Sequence, residues 1–95
     1  MIDLENRFEH AMYEIYRRAK EECSYDAKRF LLMLKTKGGL ATARDLLHND
    51  KSYEGLIHLI LCGCKKLTVE AHVLLPEYSE LFTDEEKEIA RKRLE

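Results

Sequence analysis

The stretch Leu67–Glu95, LTVEAHVLLPEYSELFTDEEKEIARKRLE, decides how the rest of the chain reads. Its TDEE at 83–86 is a capping box. The Thr83 hydroxyl can accept from the backbone at Glu86, and the Glu86 carboxylate can reach back to the Thr83 N–H. Acids fill the first turn of this segment and Arg91, Lys92 and Arg93 fill the last, which suits the helix dipole at both ends. Such agreement between independent signals marks a scaffold helix. Upstream, Thr68 caps a helix in VEAHVLL. Pro76 ends it, because proline disfavours helical backbone in the residue before it. EYSELF predicts one more turn of helix.

The same signals organise the chain from its start. A first helix is predicted from about Asp3 to Glu22, with Asp3 as its cap. Leu4, Phe8, Met12, Ile15 and Ala19 recur at three- and four-residue spacing, with Ala11 beside them. Glu14 and Arg18 stand at i,i+4, a pairing that contributes roughly 0.2–0.5 kcal/mol. Ser24 or Asp26 can cap a second helix, AKRFLLMLKTKGG, whose inward residues are Ala27, Phe30, Leu31 and Leu34. Gly38 and Gly39 then stop it. A short third helix, LATARDLLH, turns Leu40, Ala43, Leu46 and Leu47 inward. After a loop, Ser52 caps YEGLIHLILCG. This fourth helix is apolar nearly all round, so it is expected at the centre of the fold, and Gly63 ends it. No strand alternation, repeat or linker interrupts the series. The expectation is an all-α fold: one compact, irregular bundle of five to six mostly short helices. An N-terminal amphipathic helix (1–24) leads into a compact helical domain (25–95).

Composition narrows the function classes. The chain has 95 residues, enough for one small domain, with 36% charged residues and a net charge of −2. Residues 26–66 hold eight bases against four acids, and residues 67–95 hold four bases against eight acids. No apolar run suits a membrane span. The N-terminus has acids where an export signal has bases, so a cytoplasmic location is expected. Cys23, Cys62 and Cys64 are an odd number of cysteines, which reads as free thiols.

Tests for chemistry return little. His58, Cys62, Cys64 and His72 are zinc-type ligands, but C-x-C is not the usual ligand spacing. Arg44 and His48 stand too close in RDLLH for a phosphate-gripping pair on a nuclease helix. Ser24, Ser52 and Ser79 read as caps or turns, outside any nucleophile elbow. Cys64 beside Lys65 and Lys66 is the single candidate nucleophile. KGGL lacks the spacing of a phosphate loop. YEGLIHLILCG offers Glu54 and His58 and little else with which to read bases. No catalytic residue, metal, cofactor or small-molecule substrate is expected.

Several short motifs resemble a small bacterial domain family of uncharacterised function. They are Tyr25-x-Ala27-x-x-Phe30-Leu31-x-Met33-Leu34, Gly38-Gly39-Leu40-x-x-Ala43-x-x-Leu46-Leu47, Gly55-Leu56-x-x-Leu59, Leu67-Thr68-Val69-Glu70-x-x-Val73-Leu74, Leu81-Phe82-Thr83 and Ala90-Arg91-x-Arg93-Leu94. The resemblance covers about residues 25–94. Such domains stand alone or as tails of longer proteins, near restriction and mobile-element proteins. Members usually have proline where Ala27 stands and Gly-Arg-Leu-Asp before LTVE; here Cys64, Lys65 and Lys66 depart from that run. The resemblance implies a fold and a bacterial defence or mobile-element context, and no activity.

The sequence therefore points to a non-catalytic protein-interaction or regulatory module, an inhibitor or accessory factor. Met12, Tyr13 and Tyr16 widen the apolar side of the first helix and are the expected contact for a partner or for self-association. The alternative is nucleic-acid backbone binding through the basic middle segment, by Lys28, Arg29, Lys35, Lys37, Arg44, Lys65 and Lys66.

Overall fold

Asp3 accepts the Asn6 backbone N–H at 2.9 Å and starts α1, Leu4–Cys23. Its inward positions, Phe8, Met12, Ile15 and Ala19, are all buried, and this helix is the spine of the fold. A computed structural model describes residues 3–49 and 54–94, and the side chains of 54 and 55 are not among those described. The expected cap Ser52, and Tyr53, lie outside the described residues. Around α1 stand α2 (Lys28–Lys37), α3 (Gly39–His48), α4 (Glu54–Leu61), α5 (Val69–Val73) and α6 (Asp84–Leu94). Two 3-10 segments, Lys65–Leu67 and Pro76–Leu81, join the later helices. The protein is an all-α bundle, with no strand among the described residues.

The core forms where α1 meets α3, α5, α6 and the Pro76–Leu81 segment. The Phe8 ring meets Tyr78 edge-on at 5.1 Å and Phe82 at 5.2 Å. Leu34, Ala43, Leu47, Val73 and Ala90 fill the space between the helices. Met12 is fully buried there, which corrects its reading as a partner contact. The side of α1 that looked surplus in sequence is covered by the chain's own later helices. For the same reason residues 1–24 belong within the bundle.

Gly38 and Gly39 do more than stop α2. Gly38 has φ +85° and ψ 169°, a region that only glycine occupies cheaply. It ends α2 and precedes the first residue of α3. Gly39 lies so close to α1 that an added Cβ would come within 2.7 Å of the Glu9 Cα. Its N–H donates to the Glu9 carboxylate at 3.0 Å. The chain reversal between α2 and α3 is thus pressed onto α1.

Several local expectations shift. Ser24 adopts a left-handed conformation (φ 53°) and ends α1 instead of capping α2. The Asp26 carboxylate accepts from Tyr16 Oη at 2.7 Å, and α2 begins at Ala27 without a side-chain cap. Glu14 pairs with Arg17, and Arg18 pairs with Glu22. The expected caps Thr68 and Thr83 are in place. The Thr68 hydroxyl accepts from the Ala71 N–H, and the Thr83–Glu86 box closes in both directions at 2.9 and 3.1 Å.

The C-terminal helix also closes α3. Arg93 donates to the carbonyls of Leu46 (2.7 Å), Leu47 (3.0 Å) and Asn49 (3.2 Å), where the last turn of a helix lacks partners of its own. The same guanidinium pairs with Glu70 of α5 at 3.2 Å, and both side chains are almost fully buried. Glu86 adds a second tie, accepting from the capping box while facing His48 at 3.0 Å and Arg44 at 3.6 Å. Burial pushes the Glu86 carboxyl upward, but the Thr83 N–H, His48 and Arg44 together hold it below the ordinary carboxylate range.

Arg93→Met removes one partner of a buried ion pair and strips three carbonyls of a donor. The expected loss is about 3–5 kcal/mol, a large part of the stability of a domain this size. Urea unfolding followed by helical circular dichroism measures it, and a loss below about 1 kcal/mol, the scale of an exposed pair, would show the pair to be peripheral.

Candidate interaction surface on the fourth helix

The sequence GLIHLIL has no polar side, so one small helix carries apolar groups in every direction. In the structure α4 packs chiefly against the 3-10 turn that follows it, at the edge of the bundle. Leu56 and Leu59 face inward and are buried. Ile57, Ile60 and Leu61 face outward, with Ile57 53% and Leu61 81% exposed. This corrects the expectation that α4 is the central, most buried element. The centre is taken by α1, whose residues at i, i+3 and i+4 meet several helices at once. An eight-residue helix on the rim has neighbours on one side only.

Two contacts hold α4 against the start of α2 and the end of α1. The His58 ring stacks on Tyr25, centroids 4.5 Å apart and planes inclined by 26°. Cys64, just past α4, forms a disulfide with Cys23 at the end of α1. The free-thiol reading therefore fails for these two residues, because the fold brings the two helix ends together. Cys62 keeps an exposed thiol.

Beside α4 lies an open cleft of about 760 Å³. Its apolar wall includes Ile15, Ala19, Phe30, Met33, Leu56 and Leu59. Its charged lining is Arg29, Asp45, His48 and Glu70. Three of these four are engaged within the chain. Asp45 pairs with Lys37, Glu70 with Arg93, and His48 with Glu86. Arg29 is exposed and has no carboxylate partner among the described residues.

The other residues singled out from sequence fall into two groups. Tyr13 packs partly against the core, and Tyr16 lines the cleft. The Tyr16 phenol is raised above its ordinary pKa by its hydrogen bond to Asp26. Of the middle-segment cations, Lys37 is paired with Asp45, and Arg44 donates to the Leu81 carbonyl at 2.7 Å while facing Glu86. Lys28, Arg29, Lys35, Lys65 and Lys66 are exposed and have no carboxylate partner among the described residues. The zinc-type residues do not assemble. His72 Nδ1 lies 3.0 Å from the Thr68 carbonyl, Cys64 is in the disulfide, and no metal-holding group is found among the described residues. No helix among the described residues is long and apolar enough to cross a membrane.

The outward residues Ile57, Ile60 and Leu61 were missed because periodicity cannot orient a helix that is apolar on every side. The cluster of Gly63, Lys65 and Lys66 directly after it is the one sequence signal of a nearby surface. Comparisons with protein-family models, curated proteins and solved structures find no match to this chain.

Fully burying one such aliphatic side chain is worth about 1.5–3 kcal/mol, so this ridge leaves a sizeable gain unrealised. Leu61→Glu is expected to leave stability within about 0.5 kcal/mol of the original and to lower the fluorescence of a bound hydrophobic dye. A large loss of stability on thermal unfolding would show that Leu61 is packed.

Proposed function

We propose that the chain is a non-catalytic protein-interaction module whose contact surface is α4. The observation that carries this reading is the outward ridge of Ile57, Ile60 and Leu61 on a bundle that buries its other large aliphatic side chains more fully, Leu32 apart. Its position beside an open apolar cleft supports recognition of a partner segment. Tyr16 lines the cleft and remains part of the proposed surface, whereas Met12 does not. The family resemblance supports a regulator or accessory factor in a bacterial defence or mobile-element setting.

A photo-crosslinking amino acid placed at 61 or 57, in cells that make the protein, tests this. Discrete adducts are expected from those positions and not from Lys92, which is exposed on α6. Equal labelling from all three positions, or none, overturns the reading.

A second reading, nucleic-acid backbone binding, is supported by the unpartnered Lys28, Arg29, Lys35, Lys65 and Lys66. It predicts anisotropy changes with duplex DNA, single-stranded DNA or RNA that fall steeply with salt. Lys28→Glu with Lys35→Glu is the informative variant, because Lys37 and Arg44 already have partners within the chain. Absence of binding at low salt removes this reading.

A further inference from the structure

We propose that the α4 surface takes an acidic amphipathic helix of a partner protein. The inference rests on α4 being the docking surface, and adds the chemistry of what docks there.

Shape sets the first requirement. Ile57, Ile60 and Leu61 form a ridge at i, i+3 and i+4, and the cleft beside it is walled by Phe30, Met33, Leu56 and Leu59. A ridge next to a groove suits a helix with one apolar stripe, which can rest on the first and fill the second.

Charge sets the second. Elsewhere the bases are matched: Arg7 with Glu77, Arg17 with Glu14 and Glu21, Arg18 with Glu22, Arg91 with Glu88. Around α4 they are not. The stretch 55–69 contains no acid and ends with exposed Lys65 and Lys66. Arg29 enters the cleft wall, with Lys28 next to it in sequence. The carboxylates that line the cleft, Asp45 and Glu70, are occupied by Lys37 and Arg93, so they do not neutralise Arg29. What remains is an apolar patch with a positive rim, and its complement is an apolar stripe bordered by Glu or Asp. A second copy of the chain is a poor occupant, since it brings the same cations and no unengaged carboxylate among the described side chains lining the cleft.

The test uses a phage-displayed library of helical peptides. Apolar residues are fixed at i, i+3, i+4 and i+7, and the flanking positions vary over Glu, Lys, Gln and Ser. Selection is against the intact chain, with counter-selection on Leu61→Glu. Enrichment of Glu beside the stripe is expected, with binding that weakens about tenfold in Lys65→Glu/Lys66→Glu and falls as salt rises. Arg29→Glu serves as a second variant, and circular dichroism confirms that each variant is folded. If selected peptides depend on Leu61 but are neutral or basic, the acidic partner is overturned and the docking surface stands. If no peptide depends on Leu61, both are overturned. Vesicles containing phosphatidylserine and a duplex DNA are run alongside. Tighter binding to either, lost in Leu61→Glu, replaces the acidic helix with that surface.

Discussion

The fold hinges on a single guanidinium. Arg93 lies near the end of the last helix, yet it closes the open carbonyl end of α3 and neutralises Glu70 on α5. Three elements far apart in sequence are tied by one buried side chain. A charge taken out of water is tolerated only where its donors are used, and here Leu46, Leu47, Asn49 and Glu70 use them. The pair therefore fixes how α6 lies across the bundle. It also explains the company of two short motifs: LTVE supplies the acid and the final AR-x-RL supplies the base.

Much of this architecture was legible in the residues themselves. Asp3, Thr68 and Thr83 announce helix starts because their side chains satisfy orphan N–H groups, and all three do so. The stripe of Phe8, Met12, Ile15 and Ala19 announces a buried face, which it is. What sequence could not supply was the choice among competing buried elements. YEGLIHLILCG has more apolar character than α1, but a core position depends on how many neighbours a helix can reach. The longer helix reaches more of them. The disulfide was hidden for a similar reason: Cys23 and Cys64 are 41 residues apart, and only the packed fold brings them together. The proposed contact surface was consequently misplaced onto α1, where Met12 is sealed inside.

The rim position of α4 gives the molecule two different kinds of surface. On α1 and α6, charges alternate in sign and pair with one another, so that face interacts mainly with water. Around α4, an apolar ridge is bordered by cations whose charge is not balanced locally. Attraction at a distance and adhesion on contact then come from the same place. Long-range charge speeds encounter, while desolvation of the ridge slows release.

Gly38 serves as both the last word of α2 and the first of α3, with no spare residue between them. The two helices are therefore locked in length as well as in angle. One inserted residue at this junction would turn α3 by about 100° about its axis and carry Ala43 and Leu47 out of the core. Change at this point in the chain can proceed by substitution elsewhere along the helices, but the junction itself does not tolerate growth.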